Sequence, residues 1–423
     1  MAKTKSPSVS KKTQKNSTDN KDISKKIETN VRKSPTKSKN NSKSSKRSKS
    51  KSLKKKSKSS SKGSSKKSPK NKEKSNLDKN QLEKLSSSEL KTIANKFEIP
   101  LYNQMTDKEL VSAIDTTTEF SIGWRWQYMK PHLQKSEYRD AMELLIAPVR
   151  DITQYRKVKN FLKNHEVHVS LTTSPLRLPK ILAVLATIDS THIKNINVVL
   201  PEKYGKNKES YNQSDIDKIS KFPKVKIIRT QKDYGPITKM LPVIREIKDP
   251  KSIIISIDDD VGYPLGMINE FIYQKVEKYP NAVVQSPDEG QDFRNDIGNF
   301  KKVFPTKQKP RKPYADLVEG WLGVAYTKKL VNDKEMEIFA DLSKECLLSD
   351  DLVISYVLAK HDVPVVKVDN KHLGLQLSYQ YGAGADALHK GGGTGKVAKV
   401  GAFSDDFNKE KYEICLYDIK RYH

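Results

Sequence analysis

The chain has 423 residues and a formal net charge of +29, from 80 Lys and Arg against 51 Asp and Glu. Residues 1–76 hold 27 of those basic residues, only 4 of the acidic ones and 21 Ser, so +23 of the charge belongs to that segment and the other 347 residues are near neutral. This division excludes a surface that is basic throughout and leaves roughly two to three domains' worth of foldable chain. With only two cysteines, Cys346 and Cys415, it argues against a disulfide scaffold or a cysteine-based zinc module and for a reducing compartment.

The first segment, 1–76, is a Lys/Ser-rich tail almost without branched apolar or aromatic side chains. Such a composition cannot bury enough surface to offset chain entropy, so the expectation is disorder. It reads either as a polycationic arm for nucleic acid, an anionic surface or nuclear import, or as a solubilising tail. No window approaches eighteen consecutive apolar residues, and MAKTKSPSVSKK has no apolar run of the signal-peptide kind. The expectation is therefore no transmembrane segment and a cytoplasmic protein, with a nuclear address open through the tail.

Residues 77–118 predict two short amphipathic helices, each opened by a capping box. Ser86 to Glu89 precedes Leu90, Ile93, Ala94 and Phe97, and Thr106 to Glu109 precedes Leu110, Val111 and Ile114. This helical hairpin resembles the SAP and Rho-N-terminal-like modules, several of which bind DNA or RNA; a protein-docking or purely structural hairpin has the same pattern. Residues 119–165 read as a helical linker packed on the C-terminal domain, with Trp124 and Trp126 as packing anchors.

From 166 to 423 the rhythm becomes strand, helix, strand. VHVSLT (167–172), INVVL (196–200), VKIIR (225–229) and SIIISI (252–257) are short β-branched runs separated by helical stretches. Continuous apolar strands of this kind predict an α/β fold, a mostly parallel sheet with helices on both faces. Ligands of open α/β sheets sit beyond the carboxyl ends of the strands, which directs attention to the residues just past each run.

After SIIISI come Asp258, Asp259 and Asp260. Three adjacent carboxylates at the end of a buried strand repel one another unless a cation neutralises them. Oxygen-only ligands suit Mn²⁺ or Mg²⁺, and these in turn suit a diphosphate; a solvated acidic turn is the plain alternative. The Asp-Asp-Asp run resembles the DxD motif of nucleotide-sugar glycosyltransferases with the GT-A fold. Asp233 to Pro242, DYGPITKMLP, is similar to the segment that accompanies DDDxxYP in one group of these enzymes, and Thr172 to Arg177 is similar to that group's nucleotide-side loop. Glu319, Gly320 and Trp321 look like the acceptor-side segment, and Ser349-Asp350-Asp351 stands where the family places its xED motif, with Asp in place of the usual Glu at 350. Ser-Asp-Asp is also what any helix start prefers, with Ser349 as N-cap.

The resemblance implies a metal site of Asp258, Asp260 and a late histidine, His389, and donor contacts from Thr172, Arg177, Asp233, Lys239, Asp259 and Lys396. It implies an acceptor side at Glu319, Gly320 and Trp321, and Asp351 as the catalytic base with Asp350 as the alternative. The Gly-rich run 391–395 is not a phosphate-binding P-loop, because its spacing is wrong and no Ser or Thr follows Lys396; it reads as a lid. The implied activity is metal-dependent, inverting transfer from a UDP- or GDP-sugar to a hydroxyl of a glycan or glycoprotein acceptor. Without a signal anchor the chain looks similar to soluble glycosyltransferases of large DNA viruses, acting in the host cytoplasm or the virion. The rival reading is a nucleic-acid-binding protein acting through residues 1–118, its GT-A domain inactive.

Overall fold

The computed structural model describes residues 79–117, 121–205, 207–286, 314–315, 317–368, 379–380 and 405–422. All of them lie in the second of two compact units, Glu73–His423. The tail 1–76, His389 and Lys396 fall outside the described residues.

Ten strands are present among the described residues: β1 Val167–Thr172, β2 Asn195–Pro201, β3 Val225–Thr230, β4 Ile253–Ser256, β5 Val261–Gly262, β6 Val283–Gln285, β7 Tyr314–Ala315, β8 Val324–Thr327, β9 Val365–Lys367 and β10 Tyr379–Gln380. Eight form one sheet in the order β3-β2-β1-β4-β8-β6-β9-β7, and β5 pairs with β10 apart from it. β3, β2, β1 and β4 are mutually parallel, and β6 and β9 share their direction. β8 runs antiparallel between β4 and β6, and β7 antiparallel beside β9. The expected α/β sheet is thus mixed, with the reversed strand at its centre.

The central strands are buried on both faces, and strand alternation divides them between two clusters. Val167, Val169 and Leu171 of β1, Ile196, Val198 and Leu200 of β2, and Ile253 and Ile255 of β4 enter one apolar cluster. Val199 and Ile254, between them, enter the other with Val283, Val324 and Val365. The period of two is the pleat itself.

The first cluster is covered by the N-terminal helices, α1 Lys79–Leu82, α2 Ser87–Lys96, α3 Asp107–Ile114, α4 Ile122–Met129, α5 Tyr138–Leu145 and α6 Arg156–Asn164, with α7 Ile181–Ala186 and, from further along, α8 Gln213–Ser220 and α10 Met267–Tyr273. Both capping boxes form: Ser86 N–H donates to Glu89 Oε2 at 2.8 Å and Thr106 N–H to Glu109 Oε2 at 2.7 Å. Leu82, Leu90, Ala94 and Leu110 of the hairpin belong to the same contiguous core as Val169 of the central sheet. The approach is close at Gly123, where a Cβ would stand 2.4 Å from Ala113 O. Trp126 is buried, and Trp124 packs on Tyr128 and Phe222. Arg125, which the sequence reading did not single out, is buried and donates through Nη1 to Ala186 O and Ile188 O at 2.7 and 2.8 Å. That satisfies carbonyls at the end of α7 which have no intrahelical partner.

The second cluster is covered by α9 Leu241–Glu246, α11 Asp333–Ala340, α12 Lys344–Leu347, α13 Asp350–Lys360 and α14 Asp405–Tyr422. Every residue of α13 from Leu352 to Ala359 is buried. Cys346 and Cys415 are joined by a disulfide, which corrects the expectation of two reduced thiols. Their separation of 69 residues gave no sign of it; α14 packs along α12 and brings them together. No helix among the described residues is long and apolar enough to cross a membrane.

Candidate active site

The carboxyl ends of β1, β4, β6 and β9 and the amino end of β8 meet at one edge of the sheet, because β8 enters from the side the parallel strands leave. Asp258 to Asp260 follow β4 there, Glu319 to Trp321 precede β8, and Asp350 and Asp351 begin α13.

The carboxylates of the acidic turn share two cations, Lys239 on Asp258 and Arg177 on Asp259 and Asp260. Asp258 Oδ1 accepts from Lys239 Nζ at 2.7 Å. Asp259 accepts from Arg177 Nη1 at 2.7 Å and from Thr173 Oγ1 at 2.6 Å. Asp260 Oδ2 lies 3.1 Å from Arg177 Nη2. The turn is fixed from behind by Tyr263, whose hydroxyl accepts the Asp258 N–H at 2.8 Å and donates to Trp321 O at 3.0 Å.

Lys239, at the end of a 3₁₀ turn over Gly235–Lys239, is the cation at the centre. Its side chain is only 6% exposed; Nζ lies 2.7 Å from Asp258 and 3.0 Å from Asp350 Oδ2. The Asp350 contact is an ion pair whose geometry is off the line a hydrogen bond needs. Burial opposes the charge on Lys239, yet Asp258, Asp350 and Asp351 outweigh it and hold its pKa well above the ordinary lysine value. Asp351 Oδ1 instead accepts the Gly320 N–H at 2.9 Å. A Cβ on Gly320 would fall 2.9 Å from that oxygen and 3.3 Å from Lys239 Nζ, so a side chain there would press both groups out of place. Burial and then the neighbouring Asp350 push the Asp351 carboxyl well above the usual carboxylate range, against the pull of Lys239.

Several residues expected at the site occupy it differently. Thr172 Oγ1 donates to Val199 O at 2.8 Å within the sheet, and Thr173 is the hydroxyl that reaches the acidic turn. Both Asp233 oxygens are taken by backbone, from Gly235 N–H at 2.9 Å and Gly205 N–H at 2.7 Å. Gly235 has φ +65° and presses on Leu347 O, where a Cβ would stand at 2.4 Å. Glu319 is buried, its N–H donating to Gln285 Oε1 at 3.0 Å and its Oε2 lying 3.2 Å from Lys367 Nζ. Ser349 does not cap α13; its hydroxyl donates back to Glu345 O at 2.6 Å, serving the carbonyl end of α12 instead.

Sequence reading missed three neighbours of the acids. From α14, Lys411 Nζ donates to Leu348 O at 2.8 Å, and Tyr412 is buried beside Asp351 and Asp350. On the β2–β3 side Tyr211 donates to Thr173 O at 2.7 Å with Arg229 over its ring.

Among the described residues no three His, Cys, Asp or Glu side chains are arranged to enclose a metal ion by themselves. The turn nevertheless fits a hard divalent cation completed by a substrate's phosphates, since Mg²⁺ commonly takes one or two carboxylates together with phosphate oxygens and waters. Asp258 is 30% exposed despite its bond to Lys239. Asp260 is pushed up to about 7 by burial and by Asp259, with Arg177 only partly opposing, so the turn carries less positive charge than its carboxylates call for.

No family model and no curated protein matches the chain. Among solved structures it is similar to a mannosyltransferase from Pyrobaculum calidifontis in complex with GDP-Man and Mn²⁺, at 13% identity over 66% of this chain and 67% of that one, TM-score 0.33. It is also similar to glucosyl-3-phosphoglycerate synthase from Mycobacterium tuberculosis with Mn²⁺, UDP and phosphoglyceric acid, at 11% identity over 46% and 69%, TM-score 0.30. A third is 4-diphosphocytidyl-2C-methyl-D-erythritol synthase from Anaerococcus prevotii, at 12% identity over 51% and 92%, TM-score 0.29. Likeness at these values does not identify a reaction.

Proposed function

We propose that this chain is a GT-A-type glycosyltransferase that moves a sugar from a UDP- or GDP-sugar to an acceptor hydroxyl with inversion. The observation that carries the reading is the meeting of the Asp258–Asp260 turn with Asp350 and Asp351 around Lys239, at the sheet edge where α/β folds take their ligands. A bound Mn²⁺ or Mg²⁺, held by Asp258 and Asp260, would neutralise charge developing on the leaving nucleotide diphosphate. His389 and Lys396 are retained in the proposal as a further ligand and a phosphate contact.

The chain's own residues divide the remaining work. Arg177 gathers Asp259 and Asp260 and sets the shape of the turn. Asp350 is occupied by Lys239, which leaves Asp351 as the base that takes the acceptor proton: one oxygen is oriented by Gly320 N–H and its raised pKa suits proton abstraction. Trp321, half-buried beside it, is the acceptor-side surface; Glu319 is spent on Gln285 and Lys367 and acts by holding that turn.

The test is calorimetric titration of the full chain with UDP and with GDP, each with and without Mn²⁺, followed by hydrolysis of the corresponding sugar nucleotides. At least one nucleotide should bind only with the metal, and Asp260→Ala should abolish that dependence while the protein stays folded. Equal affinity with and without Mn²⁺ would refute the proposal.

A further inference from the structure

The geometry points to Lys239 as a positioning residue that ties the acidic turn to the start of α13, not as a contact to the donor. This inference rests on the glycosyltransferase reading, and it deepens the account of the same site.

The ammonium group is enclosed. Asp258 Oδ1 and Asp350 Oδ2 hold it at 2.7 and 3.0 Å, and the main chain of Gly320 covers it closely enough that a methyl group there would come within 3.3 Å. A side chain 6% exposed and already between two carboxylates has no direction left in which to meet a phosphate. Its backbone is fixed too: Lys239 O accepts the Ser170 hydroxyl from β1, and the turn that carries it begins at Gly235, pressed on Leu347 O of α12. The lysine therefore spans three separate parts of the chain: the loop after β3, the turn after β4 and the first turn of α13.

Removing a buried charge leaves its partners buried and unpaired, which costs more than the pair contributed. Without Lys239 the tie between Asp258 and position 350 is gone, and while both carboxylates remain they also repel across the gap. The carboxylate proposed to face the donor and the helix carrying Asp351 then separate. Positions of reacting groups matter on a scale of about 1 Å, a displacement that is able to cost about a hundredfold in rate. The consequence of losing Lys239 is thus expected in turnover and not in donor affinity.

The experiment compares Lys239→Met, Asp350→Asn and the double variant with the unmutated full chain, in three readouts: urea midpoint, affinity for UDP and GDP with Mn²⁺, and steady-state hydrolysis of UDP-glucose and GDP-mannose. Lys239→Met should lower the urea midpoint, and Asp350→Asn in the same chain should recover most of the loss. The stable double variant should bind Mn²⁺ and nucleotide within threefold of the unmutated protein, yet turn over about a hundredfold more slowly than Asp350→Asn alone. A tenfold loss of nucleotide affinity in the double variant makes Lys239 a donor contact and overturns the inference. So does turnover equal to that of Asp350→Asn, or the absence of any coupling between the two substitutions in the midpoints. If the unmutated chain binds neither nucleotide with Mn²⁺, the glycosyltransferase reading fails and the positioning role in transfer fails with it; the midpoints still report separately whether Lys239 is the counter-ion of Asp350.

Discussion

Lys275 offers a test of the fold that is independent of any activity. It sits in a π-helical turn, Gln274–Lys278, that continues α10, is 2% exposed, and donates through Nζ to Ala282 O just before β6. Burial, with Lys329 adding repulsion, lowers its pKa from 10.5 to about 7. The unfolded chain therefore binds more protons than the folded one between about pH 7 and 10.5, and stability from this group rises with pH across that window. At about 1.4 kcal/mol per pKa unit, the charged form costs the folded state about 4 kcal/mol near pH 7 and under about 1 kcal/mol at pH 10.5. Lys275→Met removes the cost but also the hydrogen bond to Ala282 O, worth about 1 kcal/mol. The variant should thus be more stable by about 3 kcal/mol at pH 7, with the gain gone by about pH 10. Urea denaturation of both proteins at pH 6.5 to 10 measures the difference directly. A gain that does not change with pH, or a loss of stability at pH 7, would refute the reasoning.

Asp351→Asn keeps an oxygen to accept the Gly320 N–H, so donor affinity should hold within threefold while transfer falls roughly 10²–10⁴-fold, as for loss of a positioned base; a larger defect from Asp350→Asn would move the base by one residue. Gly320→Ala should place a methyl group against Asp351 Oδ1 and Lys239 Nζ, and the expected result is loss of turnover with nucleotide affinity retained, read by the same titration and hydrolysis assays. Deleting residues 1–76 should leave the melting temperature unchanged and remove the salt-dependent part of any binding to DNA, RNA or anionic vesicles, since 27 Lys and Arg lie there. Equal polyanion binding by 77–423 and the full chain would reduce the tail to a solubilising segment.

The acidic turn was legible because a short isoleucine-rich strand ended in three carboxylates, a local pattern. The capping boxes at Ser86 and Thr106 were legible for the same reason: all their partners lie within three residues. Ser349 shows the limit of local reading. It has the composition of a cap, but the carbonyl end of α12 stands one turn behind it and takes the hydroxyl. The donor contacts at Asp233 and Lys239 were expected from the resemblance of the segment that carries them, whereas their burial and partners are visible only in the fold. Lys411 and Tyr412 stand beside the acids through the packing of α14, a relation spanning some sixty residues that no spacing rule reports. The direction of β8 was likewise invisible, since a four-residue run such as Val324–Thr327 fits a parallel or an antiparallel neighbour equally well.

That reversed strand has a consequence for how such a protein diversifies. The stretch from β1 to the acidic turn is built from parallel units whose crossovers lie over the faces of the sheet, so a change in one disturbs helix packing. The stretch between β6 and β8 begins and ends at the site edge and includes β7, which borders the sheet beyond β9. Beside that border strand, insertion or exchange of chain disturbs fewer sheet neighbours than in the parallel units. The parallel side of the sheet is the part held constant by its architecture, and the β7 border is where the chain has the most room to change.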